Sequence, residues 1–183
     1  MRIISGYLKG KKIFLPKDKQ TRPLKDMVKE SIFNILEHSN DIKFKMKDAT
    51  ILDLFSGSGS FGLECISRGA KYVYFNENYK TAIEVLEKNI DNFNCKNKCS
   101  ILKNDCFDLK KNFKNSVNLI FLDPPFKEPK INNLIELILD SKILIENGAI
   151  ILHRNKKINE DLTSKLNIFD ERYYGLSKII FAN

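Results

Sequence analysis

From residue 49 onward, short apolar runs alternate with stretches whose apolar residues recur at helical spacing, and this alternation constrains the fold most strongly. The apolar runs predict strands at "TILDLF", "YVYF", "CSILKN", "VNLIFL" and "AIILHR". The intervening stretches predict helices near residues 60–69, 80–93, 107–113, 130–139 and 159–165. Such alternation is typical of a Rossmann-like, mostly parallel sheet with helices on both faces. Two last runs, near 167–173 and 176–181, predict an antiparallel hairpin that closes a seven-stranded α/β sheet.

The first 40 residues lie outside this pattern. Residues 1–15 alternate loosely around Gly6 and Gly10, which predicts a small β-hairpin. The stretch "TRPLKDMVKESIFNILEH" (21–38) has Pro23 near the first turn of a predicted helix with apolar residues at helical spacing. We therefore predict an N-terminal hairpin and helix over 1–40, followed by an α/β domain over 41–183.

Positive charge is concentrated in the same N-terminal region. Residues 1–29 hold nine Lys or Arg against two Asp, which leaves +7 of the formal net charge of +8. A compact positive field suits a polyanionic partner such as a nucleic acid. The alternative is a solvated, lysine-rich surface without a partner.

Composition excludes several classes of protein. With 183 residues, 43% hydrophobic and 30% charged, the chain suits one globular domain. No apolar run approaches the ~20 residues that cross a bilayer and no signal-peptide pattern is found, so the sequence predicts a cytoplasmic protein. The four cysteines predict free thiols. Cys95 and Cys99 are spaced as metal ligands can be, but the chain has only two histidines, and we expect no metal site.

A glycine-rich turn follows the first predicted strand. In "DLFSGSGSFG" (53–62), three glycines satisfy the pattern G-x-G-x-x-G between a strand and a helix. Glu77 follows Gly57 by twenty residues and ends the second strand. Because the glycines allow close approach of the backbone to a ligand and the acid can accept from a ribose diol, the pattern predicts a nucleoside-containing cofactor.

NAD and S-adenosylmethionine are the two candidate cofactors. Asp53 would repel the pyrophosphate of a dinucleotide, but it suits the sulfonium and ammonium groups of S-adenosylmethionine. Asp105 ends the third strand, where it can accept from an adenine amino group, and Asp123 ends the fourth. An electronegative rim without a metal site favours S-adenosylmethionine. The expected cofactor-binding residues are Asp53, Phe55, Ser56, Gly57, Gly59, Glu77, Asp105 and Cys106.

The chain resembles the bacterial small-subunit ribosomal RNA guanine-N2 methyltransferases (the RsmD group), within the wider [D/N]-P-P-[Y/F] amino-methyltransferases. The resemblance covers almost the whole chain, and it rests on "RIISGYLKGKKI", "TRPLKDMVKESIFNIL", "LDLFSGSGSFGLECISRGA", "DPPF" and "YYGLSKIIF". It implies a class I S-adenosylmethionine-dependent methyltransferase fold with residues 41–183 as the catalytic domain. It further implies a monomer that methylates the exocyclic N2 of a guanine in 16S ribosomal RNA, free or within an assembling small subunit.

Two positions depart from the family pattern. Relatives often have an acid two residues beyond the glutamate that ends strand two, where this chain has Tyr79, so only Glu77 carries over. Many relatives have glutamate late in strand five, where this chain has His153. A lone histidine at the end of a strand is more often structural than functional.

The motif "DPPF" (123–126) suits methylation of an exocyclic amine. The amine lone pair is delocalised into the base, and it becomes available when both amine hydrogens are accepted by fixed oxygens. We expect the Asp123 carboxylate and the rigidly held Pro124 carbonyl to be those acceptors. Phe126 is expected to stack on an extruded base. The residues expected to bind RNA are Arg2, Lys9, Lys11, Lys12 and Arg22.

Other functions stay open on the sequence alone. The same chemistry fits adenine N6 in DNA or RNA and the side chain of a protein glutamine. A non-catalytic RNA-binding protein on the same fold is a third class, although the intact "DPPF" motif and glycine turn disfavour it.

Overall fold

The computed structural model describes residues 1–18, 24–109, 113–126, 128–158 and 161–183. Its centre is a seven-stranded sheet in the order β3-β2-β1-β4-β5-β7-β6. The first five strands in this order are parallel, and β7 lies antiparallel between β5 and β6. The strands are Thr50–Leu54 (β1), Tyr72–Asn76 (β2), Cys99–Leu102 (β3), Val117–Leu122 (β4), Leu144–Asn155 (β5), Ile168–Tyr174 (β6) and Ser177–Ala182 (β7). The predicted parallel sheet with a C-terminal antiparallel hairpin is confirmed.

Four α-helices of the described residues cover the two faces of the sheet. They are Asp26–His38 (α1), Ser60–Ser67 (α2), Lys80–Asn92 (α3) and Ile131–Ser141 (α4), and 3₁₀ turns span Lys96–Lys98 and Cys106–Asp108. Helices α1, α2 and α3 belong to one apolar cluster and α4 to the other. On the first face, the rings of Phe33, Phe61 and Phe121 stack in series, at centroid distances of 5.2 and 3.9 Å. The buried apolar strands therefore have a packed layer on each side.

Residues 1–14 form an antiparallel ribbon along α2. One β-bridge joins Arg2 to Lys12, so the predicted hairpin is present as a bridged ribbon without regular strands. The ribbon turns at Gly6 (φ 79°), where a Cβ atom would lie 1.8 Å from the Ser67 carbonyl oxygen. Only glycine fits this close approach. Ile3, Leu8 and Ile13 of the ribbon are buried in the same cluster as Ile51 of β1, so the ribbon and one face of the sheet share a core.

A buried ion pair fastens the ribbon and α1 to α2. The carboxylate of Glu64 accepts from the backbone N–H groups of Ile4 (2.8 Å) and Ser5 (2.9 Å). Lys29 on α1 lies 3.4 Å from the same carboxylate, and both side chains are fully buried. Arg68, the residue that follows α2, donates to Glu64 at 2.9 Å. Burial lowers the pKa of Lys29, which the Glu64 charge opposes.

Three sequence predictions differ from the structure in detail. Helix α1 begins at Asp26, while Pro23 lies outside the described residues. At the helix predicted near 107–113, a 3₁₀ turn spans Cys106–Asp108 and Leu109 is helical, while residues 110–112 lie outside the described residues. The helix predicted near 159–165 is wrong for the described residues 161–165, which form an irregular segment and a turn. There, the Asn132 side chain on α4 bonds the Asp161 carbonyl (2.8 Å) and the Thr163 N–H (3.1 Å), replacing the bonds that a helix would make.

No helix within the described ranges is long and apolar enough to cross a membrane.

Candidate active site

The candidate site lies at the carboxyl ends of the parallel strands. Because β2, β1, β4 and β5 are neighbours in the sheet, the residues that end them meet along one rim. Glu77 follows β2, Asp123 follows β4, and His153 lies near the end of β5. Asp53 lies within β1, one residue before its end.

Three residues of the glycine turn have left-handed backbone conformations, Phe55 (φ 58°), Gly57 and Gly59, and the two glycines have different roles. At Gly59 (φ 80°), a Cβ atom would meet the Leu86 side chain at 2.4 Å. At Gly57 (φ 54°), a Cβ atom would meet nothing within 4 Å, so this part of the turn faces open space. Phe55 and Ser56 precede it, and the Ser56 N–H donates to the Asn76 carbonyl on β2 (3.0 Å). Gly59 is therefore required for packing, while Gly57 forms an open backbone cradle.

Glu77 is fixed at the edge of that cradle. One carboxylate oxygen accepts from the Gly57 N–H at 2.7 Å. The other accepts from the N–H groups of Asn78 (3.0 Å) and Tyr79 (2.9 Å). A carboxylate offers about four lone-pair positions and three are occupied here, so one remains to accept from a hydroxyl of a diol. The side chain is held in place before any ligand arrives.

Asp53 lies beneath the turn rather than in the open cradle. Its carboxylate accepts from the Gly62 N–H at 3.0 Å, and the residue is 1% exposed. Burial raises the pKa of the Asp53 carboxyl well above its usual range; the Gly62 hydrogen bond opposes this rise, and the Asp123 and Glu77 charges add to it. Asp53 thus braces the loop and, when ionised, adds negative charge below it. The predicted cofactor contact of Asp53 stays a prediction.

The end of β3 adds an exposed acid and a buried thiol. Asp105 accepts from the Phe107 N–H at 3.0 Å and so caps the 3₁₀ turn. Burial, with the nearby Asp105 charge, raises the pKa of the Cys106 thiol to about 12. Cys106 is therefore a neutral thiol near pH 7.

The "DPPF" segment is held by two residues of β5. The Nδ1 atom of His153 lies 2.8 Å from Oδ1 of Asp123. Arg154 donates to the carbonyl oxygens of Pro125 (3.1 Å) and Phe126 (3.0 Å), which fixes the turn after the two prolines. Among the described residues, no donor hydrogen-bonds to the Pro124 carbonyl.

Sequence reasoning missed Arg154, and it did not foresee the contact of His153 with Asp123. The available signal was a charged pair that ends the otherwise apolar run "AIILHR". Arg154 is 2% exposed, and a buried guanidinium requires partners. Only the pairing of β4 with β5 identifies those partners as the carbonyls of the "DPPF" turn.

The basic residues of the ribbon are spread over its length. Arg2, Lys9, Lys11 and Lys12 are exposed, and Arg22 lies outside the described residues. The turn that holds Lys9 lies beside Ser67, where α2 ends, because the Leu8 N–H donates to Ser67 Oγ (3.0 Å). Since α2 begins at the rim and an eight-residue helix is about 12 Å long, Lys9 lies about that far from the rim.

Two aromatic rings accompany these basic residues. Tyr7 is 59% exposed and Phe14 is 40% exposed. The ammonium group of Lys98 lies 4.9 Å from the Tyr7 ring centroid, and that of Lys88 lies 4.3 Å from the Phe14 ring centroid. The surface combines positive charge with faces on which bases can stack.

Comparisons with known proteins agree with this architecture. The model of the family described as "Conserved hypothetical protein 95" matches residues 1–183. A protein of Buchnera aphidicola subsp. Baizongia pistaciae (strain Bp), named "Ribosomal RNA small subunit methyltransferase D", is 35% identical over 182 residues, which cover 100% of this chain and 90% of that protein.

Two solved structures are informative for the fold. The structure described as "Putative methyltransferase yhhF from Escherichia coli" aligns with a TM-score of 0.84 at 24% identity and covers 100% of this chain and 96% of its own. "SMU.776, a putative methyltransferase complexed with SAH" aligns with a TM-score of 0.66 at 19% identity and covers 85% of this chain and 49% of its own. Both likenesses concern the fold, which is that of class I methyltransferases.

Proposed function

This chain belongs to the conserved hypothetical protein 95 family and to that of ribosomal RNA small subunit methyltransferase D, and on this premise we propose that it is an S-adenosylmethionine-dependent methyltransferase acting on the exocyclic N2 of a guanine in 16S ribosomal RNA. One observation carries the proposal. At the end of β4, the Asp123 carboxylate is held at one oxygen by His153 and is followed by Pro124 and Phe126. This is the arrangement that an amine substrate requires.

The residues around the glycine turn fit the cofactor. The open position at Gly57 gives room for close approach, Glu77 has capacity for a ribose diol, and the exposed Asp105 can accept from the adenine amino group. The negative charge of Glu77 and Asp123 suits a cationic ligand. The fold neighbour SMU.776 is complexed with SAH, which is further support. When bound, S-adenosylmethionine supplies an electrophilic methyl group on a sulfonium.

The chain's own contribution to the reaction is to prepare the amine. We propose that Asp123 accepts one amine hydrogen and the Pro124 carbonyl accepts the other, which draws the nitrogen toward tetrahedral geometry and frees its lone pair. Arg154 holds the turn that contains the carbonyl, and near-attack placement of this kind strongly affects the rate. Phe126 offers its ring as a stacking face for the extruded base.

We propose that the ribbon binds the RNA backbone. Arg2, Lys11 and Lys12 are exposed and lie in the region that carries most of the chain's net charge. A pocket for one base offers RNA little area, whereas phosphate neutralisation supplies most of the affinity for a polyanion. In this proposal, residues 1–40 act as the RNA-binding extension and residues 41–183 as the catalytic domain, although the two parts share one core.

The deciding experiment maps modified guanines in 16S ribosomal RNA by mass spectrometry, with and without the gene. We expect one N2-methylguanine to disappear with the gene and to return with the wild-type chain. The Asp123→Ala variant should restore at most about one hundredth of the wild-type rate, the lower range for a positioned polar group. Phe126→Tyr should complement because the stacking face survives, and Phe126→Ala should not.

The other functions predict different results. A map with no change in guanine but with loss of N6-methyladenine or of a methylated glutamine would refute the guanine proposal. If methylation of guanine, adenine and glutamine is unchanged without the gene, and the protein binds the RNA normally, it is a non-catalytic RNA-binding protein.

A further inference from the structure

His153 lies in a chain of three side chains that ends at the candidate catalytic carboxylate. Its Nδ1 atom lies 2.8 Å from Asp123 Oδ1, and its Nε2 atom lies 2.8 Å from the Ser177 hydroxyl. The strands determine this contact, because β4 and β5 pair with Leu122 opposite Leu152, so the next residues on each strand are Asp123 and His153. Ser177 begins β7, the antiparallel neighbour of β5.

The hydrogen-bond directions follow from the chemistry of the groups. An ionised carboxylate can only accept, so Nδ1 of His153 carries the proton and donates it to Asp123. In the neutral form of the ring, Nε2 is then an acceptor, to which the Ser177 hydroxyl can donate. The His153 side chain is 10% exposed, and its ring packs edge-on against Phe126, with the ring centroids 5.5 Å apart. The tautomer and the plane of the imidazole are thereby fixed.

Only one oxygen of the Asp123 carboxylate has a hydrogen-bond partner among the described residues. Asp123 Oδ1 accepts from His153, whereas Oδ2 has no hydrogen-bond partner within the described ranges of the chain. The Asp123 side chain is 19% exposed, so it is reachable from solvent. A substrate amine can therefore approach Oδ2 without breaking the bond to His153.

We propose that His153 is the positioning residue of this methyltransferase: it holds Asp123 so that Oδ2 accepts the amine hydrogen, and Ser177 holds His153 in the tautomer that does so. This inference rests on the proposed function. When the amine nitrogen forms its N–C bond to the methyl group, the C–S bond of the sulfonium would break with its electron pair on sulfur. One N–H bond then breaks, its electron pair stays on nitrogen, and the proton forms an O–H bond at Oδ2. The Nδ1–H group remains on Oδ1 throughout, so the carboxyl keeps its orientation while it changes charge.

The test compares two substitutions of His153. Asparagine can present an amide N–H where Nδ1 lies, whereas leucine fills the space without a donor. We expect His153→Leu to lower kcat roughly ten- to hundredfold, as expected when a reacting group is misplaced by about 1 Å. The KM for RNA and the affinity for S-adenosylmethionine should stay within about twofold of wild type, because only the reacting geometry is changed. His153→Asn should recover most of the lost rate.

Ser177 supplies the second arm of the test. Ser177→Ala should give a smaller loss in kcat than His153→Leu, and the double variant should be no slower than His153→Leu alone, because Ser177 acts through His153. His38→Leu removes the other histidine of the chain, at an exposed position on α1, and is the matched control. Equal losses in His153→Asn and His153→Leu, or a wild-type kcat in His153→Leu, would overturn the proposal.

A readout without substrate separates this proposal from the proposed function. Nitrogen-15 NMR of the wild-type protein should show His153 protonated at Nδ1 and unprotonated at Nε2, with the Nδ1 signal shifted in Asp123→Ala. A ring protonated at Nε2 alone would refute the positioning role, whatever the protein methylates. A correct tautomer in a protein that transfers no methyl group to 16S ribosomal RNA would refute the proposed function instead.

Discussion

Removal of the Glu64 carboxylate is expected to destabilise this fold more than any change at an exposed ion pair. Glu64 is 0% exposed and receives the Ile4 and Ser5 N–H groups at 2.8 and 2.9 Å. Its carboxylate is also the counter-charge of the buried Lys29, at 3.4 Å. Glu64→Ala therefore leaves a buried ammonium without its anion and two backbone donors without acceptors.

The magnitude follows from what is left unpaired. Breaking a buried ion pair by removing one partner costs about 3–5 kcal/mol, and each orphaned buried donor costs about 1–3 kcal/mol. Because the ribbon can move aside and expose the Ile4 and Ser5 donors to water, we expect the ion-pair figure of about 3–5 kcal/mol to dominate. Lys29→Met should cost much less, since Glu64 keeps Arg68 and both backbone donors.

Urea unfolding at pH 7, followed by circular dichroism, measures these free energies of unfolding. Glu37→Ala is the matched control, because Glu37 is a 41% exposed partner of the same Arg68 at 2.5 Å. An exposed pair of this kind contributes about 0–1 kcal/mol. If Glu64→Ala costs no more than Glu37→Ala, the buried ion pair does not fasten the ribbon to the core.

Three further predictions concern the cofactor, the RNA and the pH dependence of stability. Glu77→Ala should weaken S-adenosylmethionine binding in calorimetry by roughly 1.5–3 kcal/mol, the range for a hydrogen bond to a charged group. Lys11→Ala with Lys12→Ala should flatten the slope of log K for RNA against log salt by about 1.4, because each phosphate contact contributes about 0.7. Asp53 has a folded pKa above its ordinary value of 3.8, so the folded state binds more protons and wild-type stability should fall as pH rises above 3.8. Asp53→Asn should lack this fall in urea midpoints measured from pH 4 to 7.

Each of these has a result that contradicts it. Unchanged calorimetric affinity in Glu77→Ala, or tighter binding of NAD than of S-adenosylmethionine, would exclude the cofactor assignment. An unchanged salt slope in the double lysine variant would mean that the ribbon is a solvated surface and that RNA binds elsewhere. The affinity of this variant for S-adenosylmethionine is the control. If the urea midpoints of wild type and Asp53→Asn change with pH in the same way, ionisation of the buried Asp53 carboxyl does not destabilise the folded state.

The architecture and most of the acids along the rim could be predicted from the sequence. Apolar runs and helical apolar spacing are local properties, so the strands, the alternation of strand and helix, and the terminal hairpin could be predicted from them. The acids at the ends of strands also followed, because the carboxyl ends of parallel strands lie on one edge. The helix predicted near 159–165 failed because the groups that hold residues 161–163, on Asn132, are about thirty positions away in the chain.

Which polar groups contact one another follows from the tertiary structure and could not be predicted from the sequence. Asp53 and Glu77 look equivalent in the sequence as acids at the ends of strands. In the structure, Asp53 is buried beneath the loop and accepts from the Gly62 N–H, whereas Glu77 lies at the edge of the open cradle. His153 lies thirty residues from Asp123, and only the register of β4 on β5 brings them within a hydrogen bond. Hydrogen bonds depend on distances of tenths of an ångström between groups remote in sequence, whereas apolar periodicity records only which face of an element is buried. For that reason the fold could be read from the chain, and the positioning of the candidate catalytic carboxylate could not.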